Sequence, residues 1–368
     1  MKQLQYIRTG HLAWKNVPEP KINTANEALV RPFLVARCDL DAAFLQNNIF
    51  RRYTIGKLLG LVDPTIPTYT RKDILKGPFP FGHECIAEIV ELGSDVRNFR
   101  VGQKVIIPFQ ISCGACPVCT SGLTSQCEVT GSFNMFSGIG KHVTNGGTMS
   151  DLLKISHANA MLIPIPDGMD LIGLASASDN LPDAWSRVAP YLLGRPGKKV
   201  LILGGGTKSI GLYAAAFAAK MDTEQVDYVD LSEERIQIAG KLGVNGIQQD
   251  YRSIHDKYDL IVNGTNSQTA IKKGIKLLNP GGVLSSSNIY FNKKVGVPFF
   301  QLYAKNLKLV TGLANPMADI PKMLDFIKTK KIEPKWVTTH IGEWDNADTS
   351  LLKRTTKVII KRNPINNN

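Results

Sequence analysis

The sequence predicts an α/β protein with two domains, one rich in β-strands and one built on a doubly wound parallel sheet. Its 368 residues are enough for about two cores. The first half carries short alternating apolar runs punctuated by Gly and Pro, which is typical of strands. From about residue 180, apolar strand runs alternate with helical patterns, which indicates a parallel sheet covered by helices.

The β-rich part contains runs such as EALVRPFLVAR and CIAEIVELG. The stretch 46–80 interrupts them; it is basic and rich in proline, so we expect a loop there. The C-terminal part, from about residue 313, holds one helical pattern, DIPKMLDFIKT, and a final strand pattern, TTKVIIKR. We expect this strand to return to the first domain, which would make that domain discontinuous.

The second domain begins with KKVLILGGG, a buried strand followed by glycines, and continues with the Ala-rich helix IGLYAAAFAAKM. The next segments are a strand, QVDYVD, and a capped helix, SEERIQIAGKLG, which we expect to end at Gly243. KYDLIVNGT, QTAIKKGIKLLNPGG and VLSSSNIY follow as strand, helix and strand. This alternation is typical of a nucleotide-binding sheet.

The composition is ordinary for a globular protein, with 43% hydrophobic and 20% charged residues. No apolar run reaches the roughly 18 residues of a membrane span, and the N-terminus lacks the apolar core of a signal peptide, which favours the cytoplasm. The net charge is +13, but the cations are scattered and no nucleic-acid motif occurs. We interpret the charge as a solvated surface, with attraction of anionic substrates or cofactors as the alternative.

A glycine-rich turn marks the expected nucleotide site. In LILGGGTKSIG, Gly204 and Gly206 come between a strand and a helix, where the backbone must turn tightly and approach a pyrophosphate. The third glycine position of the usual pattern holds Ser209, and Gly211 comes two residues later. The match to a dinucleotide-binding turn is therefore imperfect.

Asp230 strengthens the expectation of a dinucleotide. It ends the strand QVDYVD, where a carboxylate can accept hydrogen bonds from the adenosine ribose and repel a 2′-phosphate. This favours NAD over NADP; an ordinary polar residue at a strand end is the alternative. Arg235 follows one helical turn later and could lie against the adenine.

Four cysteines lie in CGACPVCTSGLTSQC, at spacings C-x2-C-x2-C-x7-C: Cys113, Cys116, Cys119 and Cys127. A disulfide knot and a redox centre are alternatives, but disulfides are rare in the cytoplasm. Four thiolates close a tetrahedral zinc shell and leave no position for substrate. We therefore predict a structural zinc in a lobe at about 110–130, where the glycines and the proline suit tight turns.

The remaining cysteines are Cys38 and Cys85, and His83 lies in FPFGHECIAEIVELGSDV. Taken alone, each would be an ordinary core residue. The chain, however, resembles the zinc-dependent medium-chain dehydrogenase/reductases, the zinc-containing alcohol dehydrogenase family, over nearly its full length. The resemblance is carried by GHECIAEIVELGSDVRNFRVGQKV, the four-cysteine stretch, GGTMSDLLKI, LIPIPDGMD and the KKVLILGGG region. Gly-His-Glu followed by the four-cysteine lobe is highly specific.

The resemblance implies a GroES-like catalytic domain at 1–179 and 313–368 and a Rossmann NAD-binding domain at 180–312. It also implies two zinc ions per chain. The catalytic ion would be held by a cysteine, the histidine of Gly-His-Glu and a third residue, and Cys38 and His83 match the first two.

No cysteine remains for the third ligand. The segment SASDNLPDAW resembles the one in formaldehyde-dehydrogenase-like members, in which an aspartate binds the zinc. Asp179 is therefore expected as the third ligand, with Asp183 as the alternative. The segment could also simply cap a helix.

A shell of Cys, His and Asp leaves a fourth position open for water or substrate, as a catalytic zinc requires. Glu84 matches the family's acidic neighbour, which can approach the metal. Asp41 matches the aspartate expected to orient the imidazole of His83. Cys85 is expected to be a packed core thiol.

Two features depart from the family pattern. Leu40 stands where the family usually has the Ser or Thr that relays the alcohol proton, so the proton would leave through Asp39, Glu84 or ordered water. The spacing between Cys38 and His83 is also longer than usual. The inserted basic stretch, about 46–78, would form a loop near the active-site mouth, an oligomer contact or an ordinary surface loop.

We therefore expect a zinc-dependent oxidoreductase that transfers hydride between an alcohol, aldehyde or polyol and NAD. One alternative is a dehydrogenase of the formaldehyde- or aldehyde-dismutating type, suggested by SDNLPDAW. Another is a catalytically silent relative that binds NAD or nucleic acid, suggested by Leu40 and the charge. The expected partner is a small-molecule substrate, with no membrane and no nucleic acid, in a homodimer or homotetramer whose sheets pair near GGVLSSSNIY.

Overall fold

The structure is a computed structural model that describes residues 1–47, 49–66, 76–138 and 146–365. The strands are β1 Lys2–Arg8, β2 His11–Asn16, β3 Ala28–Ala36, β4 Phe79–Pro80, β5 Glu84–Leu92, β6 Lys104–Ile107, β7 Leu153–Ile155, β8 Ile163–Pro164, β9 Lys199–Leu203, β10 Gln225–Asp230, β11 Asn245–Gln248, β12 Tyr258–Asn263, β13 Leu278–Ser286, β14 Lys308–Thr311, β15 His340–Glu343 and β16 Val358–Lys361.

The α-helices are α1 Asp39–Gln46, α2 Ile49–Leu58, α3 Pro117–Thr120, α4 Ala158–Met161, α5 Asn180–Leu192, α6 Lys208–Ala218, α7 Glu233–Lys241, α8 Gln268–Leu277, α9 Phe299–Ala304, α10 Pro316–Lys330 and α11 Ala347–Ser350. Short 3-10 turns lie at Thr124–Gln126, Phe136–Gly138, Gly173–Ser176, Tyr251–Ser253, Pro334–Val337 and Trp344–Asn346. Among the described residues, no helix is long and apolar enough to cross a membrane.

The β-rich domain is built on a sheet with the order β15-β16-β3-β5-β6-β8, with β7 also paired to β3, and on a small sheet with the order β2-β1-β4. The last strand, β16, pairs antiparallel with β3, and Ile359 lies opposite Ala36. The C-terminal segment therefore returns to the first sheet. This pairing holds the end of β3 in place, directly before Cys38.

The second sheet has the order β11-β10-β9-β12-β13-β14, with every pair parallel. The chain winds outward from β9 in both directions, which is the doubly wound arrangement expected from the alternating strands and helices. The order reverses at β9, so the glycine turn after β9 lies at the edge of the sheet where such folds bind ligands.

The expected loop at 46–80 is wrong for its first part, because α2 covers Ile49–Leu58. The segment after α2 forms two backbone hydrogen bonds with the segment after β13. Asp63 N–H donates to Phe291 O at 2.9 Å, and Lys293 N–H donates to Leu61 O at 2.8 Å. The insertion therefore reaches the nucleotide domain, while its basic residues Arg71 and Lys72 lie outside the described residues.

Helix α10 packs across the two parts of the chain. Its Ile320, Met323 and Leu324 join one buried core with strand β9 and helix α5, and the Phe326 ring lies 5.1 Å from the Trp185 ring. The segment assigned to the catalytic domain from residue 313 thus shares a core with the nucleotide domain. The limits at 179 and 313 stay a prediction.

Candidate active site and metal centres

The structure brings Cys38, His83 and Asp179 together from three separate elements. Cys38 is the N-cap of α1 directly after β3, His83 immediately precedes β5, and Asp179 is at the N-cap position of α5. One possible ligand atom from each of these residues, and one from Glu84, lie within 4.8 Å of one another. All four side chains are buried.

Cys38 Sγ accepts two N–H groups. The amide of Leu40 donates to it at 3.4 Å and Asn180 Nδ2 at 3.3 Å. Donors aimed at a sulfur favour its thiolate form, which is the form that binds metals. Burial and the nearby carboxylates of Asp179 and Glu84 raise the pKa of the Cys38 thiol, so a bound cation would stabilise its thiolate form.

Asp179 occupies an N-cap position without capping the helix. Its side chain makes no cap hydrogen bond, and its Oδ2 lies 3.2 Å from His83 Nε2. The alternative that this segment only caps a helix is therefore not favoured. Asp183, the other candidate ligand, forms a 2.6 Å ion pair with Arg187 and lies outside the group of four.

His83 is held between two carboxylates. Its Nε2 faces Asp179, while its Nδ1 lies 3.6 Å from Asp41 Oδ1 and has no hydrogen-bond partner among the described residues. Burial alone would lower the pKa of His83, but Asp41 and Asp179 overcome this and raise it to about 9. Asp41 also accepts the Cys38 amide at 3.1 Å, so one carboxylate adjoins two of the three expected ligands.

Gly82 positions the histidine. Its φ is +90°, and a Cβ on it would lie 2.6 Å from Thr148 Oγ1. Only glycine satisfies both conditions. The Gly-His-Glu motif is therefore explained by a turn that leads directly into β5.

Glu84 is paired with a lysine that the sequence analysis missed. Lys357 Nζ lies 3.0 and 3.2 Å from the two carboxylate oxygens of Glu84 and 2.6 Å from Asn180 Oδ1. Burial raises the pKa of Glu84 to about 7, and the lysine opposes this. Lys357 directly precedes the last strand, β16, so only the return of that strand to the first sheet could have predicted this contact.

This group of residues fits a catalytic zinc. A thiolate, an imidazole and a carboxylate are its common ligands, and three protein ligands leave a position for substrate. The unpartnered Nδ1 of His83 beside Asp41 matches the orientation that carboxylates give to metal-binding imidazoles. That these residues bind zinc stays a prediction.

The four cysteines of the lobe also converge. The Sγ atoms of Cys113, Cys116, Cys119 and Cys127 lie within 4.8 Å of one another, and none forms a disulfide. Backbone N–H groups surround them: Cys116 N lies 3.3 Å from Cys113 Sγ, and Thr130 N lies 3.4 Å from Cys127 Sγ. Partial burial raises the pKa of the Cys127 thiol, but bonds from Thr130 and Cys113 outweigh this and lower it to about 6. The arrangement fits a closed zinc shell.

Neighbouring residues leave no room for a side chain at two glycines of the turn after β9. A Cβ on Gly204 would overlap Asp230 Oδ2 and lie 2.7 Å from Tyr228 Oη, and one on Gly206 would lie 2.8 Å from Asn266 Oδ1. Gly205 stands at the x position of the G-x-G pattern, where any residue is allowed, and it has a φ of +121°. A Cβ on Gly211 would make only ordinary contacts at 3.5 Å. Glycine is therefore required by space at Gly204 and Gly206 and by backbone conformation at Gly205.

Asp230 ends β10 beside this turn, as expected from the sequence. Both of its oxygens face Arg235, which donates from Nε and from an Nη at 2.7 Å each. Burial raises the pKa of Asp230, but this ion pair outweighs burial and holds it below its usual value. Arg235 is therefore engaged by Asp230, and its contact with an adenine stays a prediction.

Comparisons with known proteins place both domains in known families. Residues 24–167 match the family described as Alcohol dehydrogenase GroES-like domain, and residues 209–329 match the family described as Zinc-binding dehydrogenase. Zinc-type alcohol dehydrogenase B of Aspergillus flavus is 26% identical over 266 residues, a match covering 68% of this chain but only 60% of that protein. The zinc-type alcohol dehydrogenase-like protein AdhB of Bacillus subtilis is 24% identical, with 93% of each chain covered.

A solved structure resembles the fold along its length. Alcohol dehydrogenase TADH from Thermus sp. ATN1 superposes with a TM-score of 0.82 at 22% identity, covering 98% of this chain and 99% of that one. The two family matches together span both the β-rich domain and the nucleotide domain. The chain belongs to the zinc-dependent medium-chain dehydrogenase/reductase family, with a GroES-like domain and a Rossmann domain.

Proposed function

We propose that this chain is a zinc-dependent oxidoreductase that transfers hydride between an alcohol, polyol or aldehyde and NAD. One observation carries the proposal: Cys38, His83 and Asp179 converge on one point beside the glycine turn of the nucleotide domain. Ser209, in the first turn of α6, is linked to this group through Asn180, whose Oδ1 lies 3.0 Å from Ser209 Oγ. The two expected sites are thus neighbours.

Cys38, His83 and Asp179 would hold the catalytic zinc, with Asp41 orienting the imidazole. When bound, zinc supplies a Lewis acid that polarises the oxygen of the substrate. Lys357 pairs with the carboxylate of Glu84 and also donates to Asn180 Oδ1, so the buried charge beside the ligand atoms has a partner. The surrounding side chains are buried, so they exclude water from the reacting group.

The glycine turn and Asp230 would hold the dinucleotide, with the pyrophosphate at the first turn of α6 and the ribose at Asp230. When bound, the nicotinamide accepts or gives the hydride. The carboxylate favours NAD over NADP, because a 2′-phosphate would meet a negative charge.

The alcohol proton has to leave by a route that does not use a hydroxyl group at position 40, because this chain has Leu40 there. Leu40 packs against the β-rich core and has no titratable group. Asp39, one of the alternative routes, points to the first turn of α6 instead. Glu84 and ordered water are the routes left, and Leu40→Ser would leave rate and pH profile unchanged if that position takes no part.

The test measures zinc content and NADH formation in one set of variants. Wild-type protein is expected to hold two zinc ions per chain and to form NADH with members of an alcohol and polyol panel. Cys38→Ser should hold one zinc ion and lose activity. The matched variant Cys85→Ser changes a buried cysteine that belongs to neither group of metal ligands, so it should keep two zinc ions and full activity. Two zinc ions and full activity in Cys38→Ser would contradict the catalytic assignment.

The oligomeric state and the compartment belong to the same proposal. Strand β13 is paired on both sides, so it is not the edge expected near GGVLSSSNIY; β14 is the edge. Helix α9, which precedes β14 along the chain, exposes Phe299, Phe300 and Tyr303, and exposed apolar patches of this kind are typical of protein–protein contacts. We propose a dimer through β14 and α9, in the cytoplasm, where the six free cysteines would stay reduced.

A further inference from the structure

Asp39 directly follows Cys38 but its side chain contacts the other domain. Its Oδ2 lies 3.0 Å from the amide of Ser209, 3.1 Å from Ser209 Oγ and 3.3 Å from the amide of Ile210. The side chain is only 9% exposed. A carboxylate of the β-rich domain is therefore bound by three donors of the nucleotide domain.

The two amides belong to the first turn of α6. Thr207 is the N-cap of this helix and makes no side-chain cap bond, so the amides of Ser209 and Ile210 have no local acceptor. Amides at this place, directly after a glycine turn, are the donors that bind the pyrophosphate of a dinucleotide. Asp39 thus occupies the place of an anion at the cofactor site.

We propose that Asp39 is an internal competitor of the cofactor: its carboxylate takes the pyrophosphate-binding amides of α6, and a dinucleotide binds only by displacing it. This inference rests on the proposed function and specifies how the cofactor site is regulated. The two anions cannot share these amides, because each amide has one proton to donate. Asp39 therefore sets the affinity for the dinucleotide.

Cations around Asp39 determine the direction of the effect. Arg37, Lys208 and Lys357 all interact electrostatically with its carboxylate. Removing the negative charge leaves these cations in place and exchanges a charge-assisted acceptor for a weaker neutral one at the two amides. The site then becomes more favourable for an incoming pyrophosphate.

Displacement of Asp39 would also change the hydrogen bonds around the expected zinc ligands. Ser209 Oγ lies within hydrogen-bond distance of both Asp39 and Asn180 Oδ1, and its single proton serves one of them at a time. Asn180 Nδ2 in turn donates to Cys38 Sγ at 3.3 Å and to Asp179 Oδ2 at 3.2 Å. A bound dinucleotide frees the Ser209 hydroxyl for Asn180, which holds two of the expected zinc ligands.

The test compares dissociation constants for NADH, measured by fluorescence titration of the zinc-loaded protein. Asp39→Asn keeps the size of the side chain and removes its charge, and should bind NADH and ADP-ribose at least about tenfold more tightly than wild type. Asp259→Asn is the matched control, because Asp259 also accepts a backbone amide, that of Lys199 at 2.9 Å, at the start of β9 instead of its end. Its affinities should equal those of wild type, and adenosine, which has no phosphate, should bind all three proteins equally.

Equal or weaker NADH binding by Asp39→Asn would overturn the inference and leave the proposed function standing. Absence of NADH binding in every variant would overturn both. A cofactor-free measurement gives a second check: hydrogen exchange at the amides of Ser209 and Ile210 should be slow in wild type and at least about tenfold faster in Asp39→Ser. Equal exchange in the two proteins would show that the carboxylate does not hold these amides.

Discussion

Lys357 and Glu84 form an ion pair in which neither side chain has any exposure to solvent. The lysine directly precedes β16 and the glutamate begins β5. The pair therefore joins two distant parts of the chain beside the expected zinc ligands. A buried pair of this kind is costly to break, because the remaining charge is left without a partner.

Lys357→Met should therefore lower the free energy of unfolding by about 3 to 5 kcal/mol. The double variant Glu84→Gln/Lys357→Met, which leaves no unpaired charge, should be more stable than Lys357→Met alone. Urea unfolding measures both. A double variant that is less stable than the single one would show that the two residues are not coupled in this way.

Asp230 and Arg235 should determine the choice of cofactor. In Asp230→Ser the guanidinium loses its carboxylate and is free to pair with the 2′-phosphate of NADP. The ratio of kcat/KM for NADP to that for NAD should rise by about two orders of magnitude. The double variant Asp230→Ser/Arg235→Gln should lose most of this gain, and an unchanged ratio in the single variant would count against Asp230 as the selecting residue.

The four-cysteine lobe should contribute stability but no chemistry. Cys119→Ser should remove one zinc ion per chain and lower the melting temperature, while the enzyme that remains folded at low temperature keeps its KM. The lobe contacts α10, since the Ser125 amide donates to Asn315 Oδ1 at 2.9 Å, so local unfolding there should loosen that helix. Metal analysis and thermal unfolding test this, with Cys85→Ser as the variant expected to keep both zinc ions.

Asp319 should make stability depend on pH. Burial raises its pKa to about 6 from 3.8, against the opposing charges of Lys322 and Arg187. The folded state therefore holds the proton more tightly than the unfolded chain, and stability falls as the pH rises from about 4 to 6. Asp319→Asn should raise the free energy of unfolding by about 1 kcal/mol at pH 8, after allowance for the partial exposure of this group.

Below about pH 4 the carboxyl is protonated in both states, so Asp319→Asn and wild type should then unfold alike. Asp325→Asn, at an exposed position of the same helix, should show no such dependence on pH. A gain in stability for Asp319→Asn that is the same at pH 4 and pH 8 would exclude titration as its cause.

The exposed aromatic side chains of α9 should govern assembly. Phe300, in the helix that precedes the edge strand β14, is 79% exposed. Phe300→Asp should convert a dimer into a monomer in light scattering, with no change in the far-ultraviolet circular dichroism. Leu123→Asp, at an exposed apolar residue of the cysteine lobe, should leave the mass unchanged; a monomeric wild type would refute the proposed interface.

The elements that the sequence predicts well are those whose pattern is local. The parallel sheet follows from apolar runs alternating with helices, and the cysteine lobe follows from its spacing. The grouping of Cys38, His83 and Asp179 was predicted only through the family resemblance, since no periodicity connects residues on three separate elements. Helix α2 was missed because its basic residues and weakly apolar faces give little periodic signal.

The contacts that the sequence could not predict join residues that are far apart in the chain and meet only when the domains pack together. Lys357 reaches Glu84 only because β16 pairs with β3. Asn180 stands next to the predicted ligand Asp179, yet its role is visible only when Ser209 and Lys357 are placed beside it. The sequence offers Asp39 as a proton route, and only the packing of the two domains shows its contact with α6.

The backbone contacts of residues 61–63 with residues 291–293 tie the insertion of the β-rich domain to the nucleotide domain. Any separation of the two domains on that side has to break both hydrogen bonds. The insertion that lengthens the spacing between Cys38 and His83 thereby limits the relative movement of the two domains on one side.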